Sequence, residues 1–265
     1  TMPSIFSYQS AEVDWCETNF KHSKIIAEYY NTVNVTTLFS LLLISPLNFL
    51  VLEGAGMGIV FLCFGLSLLL TGISSTYFHM TLSYVGQLLD ELSILWALAA
   101  AYAFLYPKIY FPRFIKTRKQ FYWLTGIITV ICTLMSFVKP ALNAYMLNCI
   151  AFHLLYMTRR ELKKCNDKKV HRMAAVMVMW WVLAITSWIS DRWLCGFWQA
   201  INFPYLHSFW HVLIAISLLY CFPLTMYFYV IYEMPSFKPK LSYWPGESWP
   251  VVVPYVVLEK LHKQC

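Results

Sequence analysis

The run HSFWHVLIAISLLYCFPLTMYFYVI, residues 207–231, decides how the chain is read. It contains no Asp, Glu, Lys or Arg and, as a helix, is long enough to cross a hydrocarbon core of about 30 Å. It nevertheless opens on two histidines, His207 and His211, whose i,i+4 spacing stacks both imidazoles on one helical face. Working outward, comparable apolar stretches occupy 33–52, 57–79, 88–106, 121–138, 141–157 and 173–190. With 207–231 they predict an all-α integral membrane protein, a seven-transmembrane helix bundle. Composition agrees, for the 265 residues are 59% hydrophobic and only 12% charged, where soluble proteins average about 25% charged. That balance excludes disorder and a nucleic-acid partner, makes the lipid bilayer the first partner to consider, and calls for no obligate protein partner.

An odd number of spans puts the termini on opposite sides, and the basic residues say which is which. Lys21, Lys24, Lys139 and Arg192 fall on the amino-terminal face, whereas the other 16 of the 20 Lys and Arg, among them Arg113, Lys119, Arg159, Arg160, Lys163 and Lys164, fall on the opposite one. By the positive-inside rule the amino-terminus is lumenal and the carboxy-terminus cytosolic, so the net charge of +7 is a topology signal. Three segments result: an acidic lumenal leader at 1–32, the membrane domain at 33–231, and a proline-rich cytosolic tail at 232–265. The tail holds five of the twelve prolines and is expected to be irregular and solvated. The opening residues carry Glu12, Asp14, Glu17 and Glu28 without an apolar core, so the first span is expected to act as its own anchor. Thr1 before Met2 is expected to be an added residue or a fragment boundary.

Within the apolar runs the ionisable residues are Asp90, Glu91, His79, His153, His207 and His211, and such residues are costly enough inside a membrane to mark function. His79 ends the second span at the face where the seventh begins, so three imidazoles can converge at one depth. Three histidine ligands leave a fourth tetrahedral position for water, as catalytic zinc requires. Asp90 starts the third span at the same face and suits a general base that takes a proton from water and hands it to a leaving amine. The alternatives for Asp90 are a partner to a histidine N–H or a charge favoured by a helix N-terminus. Ser75, one turn before His79, can offer its hydroxyl to a carbonyl oxygen, although a serine in a membrane helix commonly bonds back to its own backbone. Glu91 points about 100° away from Asp90 and reads as interfacial, and His153 reads as a hydrogen-bonded core histidine.

In the leader, Glu12, Asp14, Glu17 and Glu28 with Asn19 present oxygens that suit calcium; the competing reading is a solvated acidic segment that caps short helices. Cys16 and Cys195 share the face assigned to an oxidising compartment and are the pair expected to bridge, with two free thiols as the alternative.

The chain resembles the alkaline ceramidase family. The resemblance is carried by Glu-Val-Asp-Trp-Cys-Glu at 12–17, Ala-Glu-Tyr-Tyr-Asn-Thr at 27–32, Tyr-Phe-His-Met-Thr-Leu at 77–82, Gln-Leu-Leu-Asp-Glu at 87–91, Thr-Ser-Trp-Ile-Ser-Asp-Arg at 186–192 and His-Ser-Phe-Trp-His-Val-Leu at 207–213. It implies a seven-helix intramembrane zinc amidase that cleaves ceramide to sphingosine and a fatty acid, with the endoplasmic reticulum as its expected location. Carried over residue by residue, it implies zinc on His79, His207 and His211, Asp90 as proton shuttle, and Ser75 beside the scissile amide. It also implies calcium on Asp14, the Trp15 carbonyl, Glu17, Asn19 and Glu28, and a Cys16–Cys195 disulfide. Residues 41–58 and the basic loops match it least. The Ser-His-Asp-HxxxH skeleton is shared with seven-span receptors of the adiponectin/progestin type and with other lipid hydrolases. Such receptors ordinarily keep the amino-terminus in the cytosol, which the charge distribution here opposes.

Overall fold

The computed structural model describes residues 4–43, 58–246 and 252–260. Among them the helices are α1 (Tyr29–Leu43), α2 (Gly58–Thr81), α3 (Tyr84–Leu105), α4 (Arg118–Val138), α5 (Ala141–Leu162), α6 (Lys168–Trp193), the short α7 (Cys195–Ala200) and α8 (Leu206–Glu233), with one 3-10 turn at Lys108–Tyr110. Each apolar run of the sequence falls on one of the long helices, although 44–52 of the first run lies outside the described residues. Among the described residues α3, α4, α6 and α8 have both the length and the apolarity to cross a membrane. The chain is a predominantly helical membrane protein.

Local sequence sets the helix boundaries. Ser83 caps α3 by accepting from the Gly86 N–H, Thr117 and Gln120 form a reciprocal capping box on α4, and Asp167 caps α6. Packing then divides the apolar residues between interior and lipid. α6 and α8 form the most extensive helix pair, followed by α2 with α3 and α1 with α2. On the periphery α4 leaves Trp123, Leu134 and Val138 exposed, the last at 86%. A helix that is apolar on its outer face as well as its inner one belongs in lipid.

The two ends of the bundle are closed differently. At one end the leader lies across the α2–α3 turn and supplies the donors that the last carbonyls of α2 lack. The Glu28, Ala27, Gln9 and Ala11 N–H groups donate to the carbonyls of His79 (3.0 Å), Met80 (2.9 Å), Thr81 (3.1 Å) and Leu82 (2.9 Å). Leu82 ends the turn in the left-handed region at φ 49°, held there by burial against Phe78 and Ala27.

At the other end, the segment expected to be irregular and solvated is instead an antiparallel hairpin, β1 (Phe237–Trp244) with β2 (Val253–Lys260). Leu241 and Val256 are each 3% exposed and pack into a core with Leu105, Met173, Leu224 and Phe228. Prolines tolerate this ladder because each strand of a two-stranded ribbon keeps an unpaired edge; Pro239 and Pro254 pair in register with Leu258 and Tyr243.

Candidate active site: a buried histidine cluster beneath the leader

His79 sits in the last turn of α2, and His207 and His211 lie in the first two turns of α8. All three are buried, at 0%, 3% and 8% exposure, and offer ligand atoms within 4.8 Å of one another. The Nε2 atoms of His79 and His211 face each other at 3.1 Å. The Nδ1 of His79 is turned away from the cluster onto the Glu28 carboxylate at 2.5 Å, so the ring's outer nitrogen is already occupied. His207 is different, for both of its nitrogens are buried without a partner. Its ring is stacked instead on Trp15 at 3.7 Å between centroids, with Trp210 near-parallel at 5.1 Å.

An imidazole with two orphaned nitrogens in a buried site is expensive. The cost falls if one nitrogen ligates a cation shared with His79 and His211, and the donor set of three imidazoles suits zinc. The residues present therefore fit the metal.

Ser75 stands one turn before His79, is 3% exposed, and its hydroxyl is near enough to the Asp90 carboxylate to favour its charged form. Asp90 thus approaches the cluster from α3 through a residue on the same face of α2 as His79. Glu91 turns elsewhere, accepting from Gln87 at 3.0 Å while its carbonyl accepts from Asn143 at 2.9 Å. His153 bonds Tyr102 at 2.6 Å, the satisfied core histidine expected.

The leader residues divide into two groups. Asn19 donates to both Asp14 oxygens at 3.0 and 3.2 Å, its own Oδ1 is buried without a partner, and Asp14 lies near enough to Glu28 to raise its carboxyl. Two neighbouring carboxyl groups with an orphaned amide oxygen form a donor set suited to a hard cation. Glu17 is engaged differently, with its carboxylate on the N–H groups of Tyr30 (2.7 Å) and Asn31 (3.0 Å) at the start of α1. Trp15 joins through its N–H, which donates to Glu28 at 3.1 Å. Burial pushes the Glu28 carboxyl up to about 8 against the pull of hydrogen bonds from Asn31 and Trp15, and proximity to Asp14 adds to the rise. Burial likewise raises Glu17. Cys16 and Cys195 are joined by a disulfide that fastens the leader to α7.

Two further residues build the site without having stood out in the sequence. Asn31 accepts from Ser208 at 2.5 Å and donates to Glu28 at 3.0 Å, linking α8 to α1. Asp191 accepts from the backbone N–H groups of Cys16 (3.0 Å) and His207 (3.1 Å). It follows the sixth apolar run by one residue and stands next to Arg192, within the run 186–192 that carries the family resemblance, but no role was assigned to it. The available signals were an acid directly abutting an apolar run and its place in that matched run.

The fold and the cluster thus define a helical membrane protein with three convergent buried imidazoles at one end of its bundle. Residues 7–257 match the family described as Ceramidase, and the chain belongs to it. It is 48% identical over 267 residues to alkaline ceramidase 1 of Mus musculus, covering 100% of this chain and 97% of that protein. It is 46% identical over 271 residues to alkaline ceramidase 1 of Homo sapiens, covering 100% of both. With the alkaline ceramidase of Drosophila melanogaster it shares 39% over 253 residues, 93% of this chain and 87% of that one.

Proposed function

We propose that the chain is a zinc-dependent, calcium-activated intramembrane amidase that hydrolyses the N-acyl bond of ceramide to sphingosine and a fatty acid. Membership of the ceramidase family supports the substrate class. The observation that carries the mechanism is the pair of orphaned nitrogens on buried His207, opposite His79 and His211.

His79, His207 and His211 would hold zinc. Bound there, zinc supplies Lewis acidity that polarises the amide carbonyl and acidifies water. Asp90 takes the proton from the attacking water and returns it to the nitrogen that leaves as the sphingoid amine. Ser75 orients the Asp90 carboxylate, and its single hydroxyl hydrogen can turn to the scissile carbonyl once Asp90 has taken the proton from water. Glu28 holds the His79 Nδ1 proton, which keeps Nε2 free as a ligand. Asp14, the Trp15 carbonyl, Glu17, Asn19 and Glu28 would hold calcium, with Glu17 turning from the α1 N-terminus to join the set. Because Glu28 belongs to both groups, an ion beside it acts directly on a zinc ligand.

The orientation follows the charge distribution, with the leader and cluster lumenal, the hairpin end cytosolic, seven spans between them, and the endoplasmic reticulum as the location. Ceramide then stays in the bilayer, its chains among the helices and its amide at the polar end. Sphingosine release by the purified protein tests the proposal. Chelation, His79→Ala and Asp90→Ala should each abolish release. Unchanged release in either variant overturns the site, and a preparation active without stoichiometric zinc overturns the mechanism.

A further inference from the structure

We propose that Asp191 is a positioning residue for His207, holding both the backbone and the stacked face of this imidazole. A metal-ligating histidine is ordinarily oriented by a hydrogen bond to its second nitrogen. His79 has such a bond to Glu28 at 2.5 Å, whereas neither nitrogen of His207 has one. Something else must fix the direction of that ring.

Two restraints act on it, and both end at Asp191. One carboxylate oxygen accepts from the His207 N–H at 3.1 Å. The capping position of α8, Tyr205, makes no side-chain cap, so Asp191 supplies from α6 the acceptor that α8 lacks for one of its first N–H groups. That pins the turn on which His207 stands. The other oxygen accepts from the Cys16 N–H at 3.0 Å, and the residue before Cys16 is Trp15, whose indole lies on His207 at 3.7 Å with 13° between the planes. The same carboxylate, 1% exposed, thereby sets the helix turn beneath the ligand and the ring stacked on it. Its position 16 residues before His207 and 175 after Cys16 lets it couple leader, α6 and α8.

The inference rests on the histidine cluster being a metal site, and the test separates the two claims. The detergent-purified full chain is stripped of metal and titrated with cobalt(II), whose visible spectrum reports ligand geometry directly; zinc affinity is then read by chelator competition. Asp191→Asn keeps the shape but leaves one of the two N–H groups facing an amide NH₂. It should shift the cobalt bands and weaken zinc roughly 10- to 100-fold while the Cys16–Cys195 disulfide still forms. Gln199→Ala removes a leader bond to the Cys16 carbonyl (3.2 Å) without touching α8, and should leave both readouts unchanged. Trp15→Leu keeps the Asp191 bonds and the Trp15 carbonyl but removes the stacked ring, and should shift the bands by itself even if Asp191→Asn does not assemble. Parent protein that binds cobalt, with unchanged spectra in Asp191→Asn or Trp15→Leu, overturns the positioning role alone. Parent protein that binds neither ion overturns the metal site and the positioning role together.

Discussion

Replacing Glu28 by glutamine tests how far the leader controls the histidine cluster. Three donors converge on this carboxylate: the Trp15 N–H at 3.1 Å on one oxygen, and Asn31 Nδ2 at 3.0 Å and His79 Nδ1 at 2.5 Å on the other. Glutamine has the same shape and only one oxygen. With that oxygen towards Asn31 and His79, its NH₂ faces the Trp15 N–H. Turned round, its NH₂ faces His79 Nδ1, which must then accept and carry its proton on Nε2, the nitrogen that meets His211 at 3.1 Å. Either orientation leaves a buried donor unpaired, at a cost of about 1–3 kcal/mol. Both also remove the carboxyl group that, when ionised, makes His79 a better ligand. The expected result is zinc binding weakened roughly 10- to 100-fold, about 1.4–2.8 kcal/mol at about 1.4 kcal/mol per decade. Chelator competition in calcium-free buffer measures it, and calcium activation of ceramide hydrolysis should disappear in the same variant. Zinc affinity within twofold of the parent would refute the reasoning, because it would mean that the Glu28–His79 contact does not reach the metal.

Substituting both Cys16 and Cys195 by serine frees the leader from α7, and thermal unfolding should show a loss of about 2–5 kcal/mol that reducing agent reproduces in the parent. At Gly86 an added Cβ would meet Ser83 Oγ at 2.9 Å and the Phe78 backbone at 3.0 Å, so Gly86→Val should destabilise the α2–α3 turn by about 1–3 kcal/mol, read as a lowered melting temperature. At the hairpin end burial pushes the Glu161 carboxyl up, but bonds from Tyr110, Tyr232 and Lys164 outweigh it and hold the group below the ordinary carboxylate range. A depressed carboxyl stabilises the fold above its unfolded pKa of about 4.3 and loses that contribution as pH falls through the lower folded value. Glu161→Gln should therefore lower stability at neutral pH and flatten its decline in acid; a parallel acid limb in parent and variant would count against the cluster.

Much of the site was legible because the membrane makes charge rare. With so few ionisable residues in the apolar runs, His79, His207, His211 and Asp90 stood out as candidates, helical periodicity put His207 and His211 on one face, and the three histidines do converge. The leader's oxygen donors and the Cys16–Cys195 pair were legible with alternatives left open, and the family resemblance favoured these readings and added the Trp15 carbonyl. The hairpin was missed because prolines usually break ladders, and composition cannot tell that a two-stranded ribbon has a free edge for each of them. Glu28 was legible as an oxygen donor in the leader, but not as the partner of a histidine 51 residues away.

The sequence by itself determined the class: apolar runs of membrane length, little charge, and a short set of candidate residues within the runs. These are properties of composition and of spacing within single helices. The tertiary structure alone decided which of those residues touch. It set Glu28 against His79, Asp191 between Cys16 and His207, and Pro239 and Pro254 into a ladder over the core. Those contacts depend on how α2, α6 and α8 pack and on where the leader crosses them, and no periodicity within one helix encodes the distance between two.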